Sequence, residues 1–552
     1  MEGLRGLIRE RLSKPKPDSR KFRIWEPKNF ILLPRLKNPS RIDLKYPLLE
    51  PFVSVHVKWD QKEKQLVYSV LEPRLSQEEE KTLDKLKEHL TELIDTKISE
   101  EIDPMAQLEG KLKGMMEELK MNLDSESYFK ILYFIFRDLV GMNEIEPLLH
   151  DPYIEDIGCT GMETEIYVTH RKFGTLKTNI NFTDFERLTD FVIKLSERCG
   201  RYISYAMPLL DGTLPDGSRV QASLAKDVTT KGPTFSIRRF RRNPFSPVDL
   251  INMGTASPEL MAYLWFLIEY DASVLVTGGV STGKTTMLNS ISMFIVPEKK
   301  IVSIEDVREL NIPHENWIPA TSRAGFGVPE GEGKRYGEVD LFDLLKESFR
   351  MKPDYVIVGE VRGKEAYVLF QGMASGNPSL GTIHSGSVED MVKRLQTPPI
   401  ELSPSLIESL DVVIVMVNAR EKGKAARRVK DVVEIESADA DKVHTSKIFA
   451  WIPVDDIYRN MSSQSLLIRK ICFERGISYE KAISELERRK RILEWLRKFG
   501  ICQFEEVCSF INLYHKDPET VLNWVEKGQP PYKMAAKEME SATGLVFAKE
   551  KI

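Results

Sequence analysis

The stretch that decides the fold is LVTGGVSTGKTTMLN, residues 275–289. An apolar strand runs into a glycine-containing turn, and a helical pattern follows the turn. Within this stretch, Gly278 to Thr285 fits the pattern GxxxxGK[ST] in full. Successive backbone N–H groups in such a loop form a concave anion site, and the following helix adds its positive end. The stretch therefore predicts a site for the phosphates of a nucleotide.

The residues of this loop have separate predicted tasks. Glycine is needed because a Cβ would block the approach of the backbone to the phosphates. Lys284 is predicted to reach the β- and γ-phosphates, and the Thr285 hydroxyl to bind Mg²⁺. The predicted nucleotide-binding residues are Gly278, Gly279, Val280, Ser281, Thr282, Gly283, Lys284, Thr285 and Thr286.

Acidic residues close two further apolar strands. Glu305 and Asp306 end the strand of IVSIEDVRE (301–309), and Glu360 ends the strand of DYVIVGEVRG (354–363). Open parallel sheets bind their ligands at the carboxyl ends of their strands. An isolated acid at a strand end often only caps a helix, but two such acids beside a phosphate loop indicate a catalytic site.

These acids supply the predicted metal and proton chemistry. Thr285, Asp306 and Glu360 are the predicted Mg²⁺ ligands. Gly359 stands where an acid would complete the usual acidic pair, so Mg²⁺ is expected to be held largely through water. Glu305 and Glu360 are equal candidates for the general base that takes a proton from water.

A polar pair closes one more apolar strand, SLGTIHS (379–385), at Thr382 and His384. A histidine donates a hydrogen bond and responds to small changes in its surroundings. A lone histidine is more often structural, but beside a phosphate loop we interpret His384 as a sensor of the γ-phosphate.

Composition limits the class of protein. The chain has 552 residues, too long for one ordinary core. Its net charge is −4, which argues against a surface built mainly for nucleic acid. The five cysteines include no CxxC pair, which indicates reduced thiols in a cytosol. No apolar run approaches the ~18–20 residues of a membrane span.

Four regions are predicted along the chain. Residues 1–124 comprise a basic, irregular start to about residue 50, two short strands, and a helix over 76–98 that begins with the capping box SQEE. Residues 125–243 hold helices and short strands. Residues 244–455 alternate five apolar strands with helices, which predicts a parallel sheet covered on both faces. Residues 456–552 are predicted to be helical.

The basic start carries Leu4, Leu7, Ile8 and Leu12 at helical spacing. Two interpretations stay open for this segment. It either lies on an anionic membrane surface or forms a solvated tail.

Several motifs occur in one order that is known from a protein family. In order along the chain, four segments resemble the sequence boxes of the type II/IV secretion ATPase superfamily. The phosphate loop resembles its nucleotide-binding box, and IEDVRE resembles its aspartate box. The strand of DYVIVGEVRG resembles its atypical Walker B box, and GTIHS resembles its histidine box. Further runs are similar to its archaeal branch, which includes the archaellum motor and archaeal pilus assembly ATPases: EPLLHDPYIEDIGCTG, HRKFGTLKTNINF, GRYISYAMPLLDGTLPDGSRVQ and IPHENWIPATSR. The resemblance covers residues 45 to 510.

The resemblance implies an α/β fold, in which a PAS-like domain precedes a RecA-like ATPase domain with a predominantly parallel sheet. It also implies ATP and Mg²⁺ as cofactors and assembly into a homohexamer. Arg219, in LPDGSRV, and Arg238, in FSIRRF, match the arginines that approach the phosphates from the PAS-like domain. A guanidinium suits this task because it stays charged and binds phosphate oxygens in pairs.

The predicted function is a motor that hydrolyses ATP to drive assembly or secretion of type IV pilus-like filaments. Its implied partner is a polytopic membrane platform protein, at the inner face of the cytoplasmic membrane. One alternative is a RecA-like nucleic-acid translocase, which would need a basic stripe and stacking aromatic residues. Another is a small-molecule P-loop kinase, which would need an acceptor pocket and a lid.

Overall fold

The computed structural model describes residues 23–24, 39–93, 104–119, 121, 123–240, 243–323, 325–330, 334–421, 424–439 and 443–528. Contacts divide the chain into two compact units, Met1–Phe240 and Arg241–Ile552. The four predicted regions, 1–124, 125–243, 244–455 and 456–552, stay a prediction; each of the two units is described below by itself.

One ten-stranded sheet forms the centre of the first unit. Its strand order is β1-β2-β3-β4-β7-β6-β5-β10-β9-β8. Strands β4 and β7 pair in parallel, whereas the other neighbours are antiparallel. The sheet therefore continues across residue 124. The strands are β1 (Arg23–Ile24), β2 (Asp43–Glu50), β3 (Val53–Asp60), β4 (Gln65–Leu71), β5 (Ile154–Cys159), β6 (Glu165–His170), β7 (Gly174–Asn181), β8 (Leu209–Thr213), β9 (Arg219–Ser223) and β10 (Thr234–Arg238).

Helices cover this sheet. The first begins as predicted, because the Ser76 N–H donates to Glu79 Oε2 at 2.7 Å and the Glu79 N–H donates to Ser76 Oγ at 3.2 Å. Residues 94–98 of the predicted helix lie outside the described residues. The helices of the first unit are α1 (Gln77–Leu93), α2 (Pro104–Glu118), α3 (Ser125–Ile135), α4 (Glu146–His150) and α5 (Phe185–Arg198).

The prediction of an irregular chain up to about residue 50 was wrong for strand β2. Tyr46 and Leu48 point into the core from this strand. Pro47 concealed the strand because proline lacks the N–H that a sheet ladder uses. The register shifts between Pro47 and Leu49, which is the kind of irregularity that accommodates proline. The candidate membrane-surface residues Leu4, Leu7, Ile8 and Leu12 lie outside the described residues.

A nine-stranded sheet forms the centre of the second unit, in the order β13-β12-β16-β17-β11-β18-β19-β20-β21. All neighbours from β13 to β18 are parallel. Each of the five predicted apolar strands lies in this part, so the predicted α/β, RecA-like fold class is confirmed. The strands are β11 (Val274–Gly278), β12 (Ile301–Glu305), β13 (Trp317–Thr321), β16 (Tyr355–Val361), β17 (Ser379–Ile383), β18 (Val412–Glu421), β19 (Lys424–Ala438), β20 (Val443–Ile452) and β21 (Ile457–Asn460).

Strands β18 to β21 extend the parallel sheet with antiparallel pairs, which the sequence analysis did not predict. A separate two-stranded ribbon pairs β14 (Phe326–Glu330) with β15 (Lys334–Tyr336). The helices of the second unit are α6 (Pro247–Asn252), α7 (Pro258–Glu269), α8 (Lys284–Ser292), α9 (Leu341–Arg350), α10 (Glu365–Ala374), α11 (Val388–Gln396), α12 (Pro404–Ile407), α13 (Leu466–Arg475), α14 (Tyr479–Lys498), α15 (Phe504–Lys516) and α16 (Pro518–Lys527).

The helices that follow the sheet pack on helix α7. Arg489 of α14 is buried, and its guanidinium lies 5.2 Å from the ring centroid of Trp265. The same guanidinium is 2.5 Å from Glu269 Oε2 and 3.2 Å from Glu485 Oε1. A buried charge needs such paired carboxylates, so this cluster fixes the tail against the sheet domain. Over the described part of the chain, we find no helix with the length and apolar character of a membrane span.

Candidate nucleotide-binding site

The predicted phosphate loop connects the carboxyl end of β11 to the first turn of α8. Gly283 adopts a φ of 92°, which favours glycine, and Ser281 adopts a φ of 57°. A Cβ on Gly278 would lie 2.7 Å from the Met416 carbonyl oxygen and 2.5 Å from Thr282 Oγ1. The loop is therefore closely packed against strand β18, and glycine is required at its start.

The side chain of Lys284 folds back onto the phosphate loop. Its ammonium donates to the carbonyl oxygens of Gly278 at 3.2 Å and Gly279 at 2.9 Å. Burial lowers the pKa of Lys284 below its ordinary value. Thr285 and Thr286 follow in the first turn of α8. A partly desolvated cation at a helix N-terminus suits a polyphosphate.

Glu305 ends strand β12 and is only 2% exposed. Its Oε1 accepts hydrogen bonds from the N–H groups of Glu309, at 2.9 Å, and Leu310, at 3.0 Å. Oε2 is buried without a hydrogen-bond partner among the described atoms. Burial raises the pKa of Glu305 to about 7, against the two backbone hydrogen bonds. A carboxylate with a pKa close to neutral and one unused oxygen suits a proton acceptor.

Gly359 provides the space for Glu305. A Cβ at residue 359 would lie 2.9 Å from Glu305 Cγ and 3.4 Å from its Cβ. This contact explains why the expected acidic pair on β16 is reduced to Glu360 alone. A side chain at residue 359 would displace the carboxylate on the neighbouring strand.

Gly359→Ala is therefore expected to lower the turnover of ATP by about a hundredfold, because small displacements of a reacting group have effects of that size. Affinity for a nonhydrolysed ATP analogue should change little, since the phosphate loop is untouched. Gly363→Ala is the matched control, because its nearest neighbour is a carboxylate oxygen of Glu365 at 3.3 Å. Equal turnover in Gly359→Ala and wild type would show that the position of Glu305 is unimportant.

Glu360 and Arg362 lie at the carboxyl ends of the parallel strands, as Glu305 and Asp306 do. Glu360 Oε2 accepts a hydrogen bond from Arg362, whose other terminal nitrogen lies 3.4 Å from Asp306 Oδ2. Burial acts to raise the pKa of Glu360. The net effect is a lowered pKa, because Arg362 stabilises the carboxylate through a hydrogen bond and its positive charge, and Lys284 adds a second positive charge. Asp306 and Glu360, the two acidic residues among the predicted metal ligands, therefore contact the same guanidinium.

Arg362 was missed in the sequence analysis. It stands two residues after Glu360, just beyond the end of strand β16, and residues i and i+2 of an extended chain share a face. That spacing was a usable signal.

His384 follows the carboxyl end of β17, next to β16. The Thr382 hydroxyl donates to the Gly359 carbonyl oxygen at 2.6 Å, which ties the two strand ends together. The His384 carbonyl oxygen accepts from Arg394 at 2.8 Å. Thr382 thus has a structural partner, whereas the sensor task of the His384 imidazole stays a prediction.

The predicted arginines lie in the first unit, directly opposite each other on β9 and β10. Arg219 donates to both carboxylate oxygens of Asp211, at 3.2 and 2.9 Å, and Arg238 donates to Asp156 at 3.1 Å. Both pairs lie on the exposed face of the sheet, where ion pairs are weak. The neighbouring Arg241 and Arg242 lie outside the described residues.

The second unit offers a donor set that fits a magnesium nucleotide. The glycine-lined loop, the Lys284 ammonium and the unpartnered Glu305 oxygen suit a polyphosphate and an attacking water. Among the residues that the structure describes, no group of three or more His, Cys, Asp or Glu side chains could hold a metal. The remaining ligands of Mg²⁺ would thus be phosphate oxygens and water, as in other nucleotide sites.

Comparison with known proteins identifies the family of the chain. The family model for type II/IV secretion system proteins matches residues 139–453. Protein MJ0900 of Methanocaldococcus jannaschii is 36% identical over 481 residues, which are 86% of this chain and 85% of that protein. The type IV secretion system protein PtlH of Bordetella pertussis is 33% identical over 267 residues, 42% of this chain and 77% of PtlH.

Among solved structures, the VirB11 ATPase of the Brucella suis type IV secretion system is 24% identical, with a TM-score of 0.26. The match covers 52% of this chain and 92% of that one. The match to the family model extends from the first unit through the phosphate loop and the acidic strand ends to strand β20. The chain therefore belongs to the type II/IV secretion system protein family.

Proposed function

We propose that this chain is the ATP-hydrolysing subunit of a homohexameric motor that drives assembly or secretion of a pilus-like filament. The observation that supports hydrolysis most strongly is the buried Glu305 carboxylate with one unused oxygen. It lies at the carboxyl end of β12, and the phosphate loop follows the carboxyl end of the parallel strand β11. One oxygen of this carboxylate holds the backbone of Glu309 and Leu310, and the other is left for chemistry. It can accept a proton from a water that attacks the γ-phosphate.

The other residues of the site have complementary tasks. The loop amides and Lys284 bind the phosphates, and His384 responds to the γ-phosphate. Thr285, Asp306 and Glu360 would hold Mg²⁺, which would neutralise charge on the phosphates when bound. Arg362 keeps the two acids together and balances their charge, as its contacts to both indicate.

Coupling to movement depends on Arg219 and Arg238 of the first unit. We propose that these arginines leave Asp211 and Asp156 to bind the phosphates of ATP, from the same subunit or a neighbour. ATP would then favour the closed arrangement of the two units, and hydrolysis would release it. Repeated closure around a ring would move a polytopic membrane platform protein at the inner face of the cytoplasmic membrane.

Arg219→Ala tests this coupling. We expect ATP binding to be nearly unchanged, but turnover by the assembled form to fall on the order of a thousandfold, as for other arginines supplied by a second domain. Arg187→Ala is the matched control, because Arg187 is an exposed arginine of the same unit paired with Glu144. Rates are compared at protein concentrations where sedimentation shows a hexamer. Unchanged turnover in Arg219→Ala would remove this arginine from the mechanism.

The same assay separates the motor from the translocase. Anionic vesicles carrying the platform protein should stimulate wild-type hydrolysis, whereas single-stranded DNA should not. Stimulation by single-stranded DNA alone would favour the translocase over the filament motor.

A further inference from the structure

A cross-strand pair on the β18–β19 hairpin touches the outer side of the phosphate loop. Asn418 of β18 and Arg427 of β19 face each other in the register of the hairpin. The Asn418 side-chain amide donates to the Val280 carbonyl oxygen at 3.4 Å, and Arg427 Nε donates to the Ser281 carbonyl oxygen at 3.1 Å. The hairpin therefore contacts two consecutive peptide groups of the loop.

This part of the loop has few other supports. Val280 is 73% exposed, and Ser281 is also exposed to solvent. Ser281 has a φ of 57°, in the left-handed region that residues other than glycine rarely occupy. Such a conformation persists only when its surroundings hold it in place. The Arg427 hydrogen bond acts on the carbonyl group of the strained residue itself.

The two contacts also act on the side of the loop that binds phosphate. In a trans peptide the C=O and the N–H point in opposite directions. A donor on the Val280 carbonyl therefore polarises the Ser281 N–H, and a donor on the Ser281 carbonyl polarises the Thr282 N–H. Because hydrogen bonds in series strengthen one another, the hairpin makes these two N–H groups better donors to an anion.

Lys284 makes this support necessary. Its ammonium donates to the Gly278 and Gly279 carbonyl oxygens, and it must leave them to reach a phosphate. The Asn418 and Arg427 contacts involve different carbonyl groups, so they can persist when Lys284 moves.

From these contacts we infer that Asn418 and Arg427 are positioning residues of the phosphate loop, which keep its amides arranged for phosphate while Lys284 moves to the ligand. The inference rests on the proposed nucleotide-binding function and deepens it. The neighbouring Arg428 has a different task, since it is 2% exposed and donates to both carboxylate oxygens of Asp456 at 2.8 Å. Arg428 holds the sheet, whereas Arg427 holds the loop.

The test compares Arg427→Ala, Arg427→Lys and Asn418→Ala with the control Lys430→Ala, an exposed lysine on the same strand. Affinities for fluorescent ATP and ADP analogues, kcat, KM and thermal unfolding without nucleotide are measured on the full chain. Arg427→Ala should weaken ATP and ADP equally, by about tenfold, the usual effect of losing a hydrogen bond from a charged group. KM should rise by the same factor, while kcat and thermal unfolding stay at wild-type values.

The other variants should rank in a fixed order. Arg427→Lys should recover part of the affinity, because it keeps the charge but not the planar guanidinium. Asn418→Ala should have a smaller effect than Arg427→Ala, because its hydrogen bond is longer. Lys430→Ala should match wild type in every measurement.

Three results would overturn the inference. Unchanged affinities in Arg427→Ala would show that the hairpin does not support the loop. A loss confined to ATP, together with a lower kcat, would make Arg427 a direct γ-phosphate contact. A fall in thermal stability that accounts for the weaker binding would make it a structural residue. A wild-type chain that binds neither nucleotide would refute the proposed function itself, so the two failures are distinguishable.

Discussion

Lys284→Ala is expected to abolish tight ATP binding and to lower turnover by at least about a hundredfold, since a charged donor to a phosphate supplies effects of that size. The Lys284 ammonium is the one cation that the described part of the chain places inside the loop, on the Gly278 and Gly279 carbonyls. Its removal takes away the positive charge that is predicted to bind the β- and γ-phosphates together with the loop amides. The measurements are calorimetric titration with ATP and the rate of phosphate release.

The control for this variant is Lys393→Ala, which removes an exposed lysine from helix α11 of the same unit. Circular dichroism and thermal unfolding should be the same for both variants and wild type. Normal turnover in Lys284→Ala would exclude the loop from the mechanism.

Glu305→Gln is expected to lower kcat by about a hundredfold to ten-thousandfold, the range that general bases contribute. ATP affinity should stay close to wild type, because the described side-chain contacts of Glu305 are to Gly359 and to the backbone of residues 309–310, and not to the phosphate loop. Glu360→Gln supplies the comparison. Its carboxylate is tied to Arg362 and has a lowered pKa, so we expect Glu360→Gln mainly to raise the Mg²⁺ concentration needed for half-maximal rate. If Glu360→Gln lowered kcat and Glu305→Gln raised the Mg²⁺ requirement instead, Glu360 would be the general base and Glu305 the metal ligand.

The pH dependence of Glu305 has a defined direction. Because burial raises its pKa to about 7, the base is protonated below that pH, and kcat/KM should rise as pH increases through about 7. The folded state is favoured by this group when it is protonated, and that stability is lost as pH rises through about 7. Glu305→Gln should therefore be more stable than wild type at pH 8, by about 3 kcal/mol, and similar below pH 4.5. Urea unfolding at both pH values measures the difference.

Local sequence patterns were sufficient for the parallel part of the second unit. The five apolar strands, the glycine turn and the acids at the strand ends are all properties of short segments, and each segment lies where it was expected. The capping box at Ser76 was equally local. Such features depend on backbone geometry within a few residues, which the sequence states directly.

Features that depend on pairing between distant segments could not be predicted in this way. Strand β19 carries many charged residues, and only its position between β18 and β20 makes it a strand. Asn418 and Arg427 touch the loop because of the hairpin register, which no local pattern defines. The task of Gly359 became clear only from the Glu305 side chain on the neighbouring strand.

The central claim is that ATP draws arginines of the first unit onto phosphates bound at the loop of the second. A crystal structure of the assembled protein with a nonhydrolysable ATP analogue and Mg²⁺ tests it most directly. The account predicts a triphosphate against the amides of residues 279–284, with the guanidinium of Arg219 or Arg238 on its terminal phosphate. A loop without nucleotide, or both arginines still bound to Asp211 and Asp156 in the loaded assembly, would contradict it.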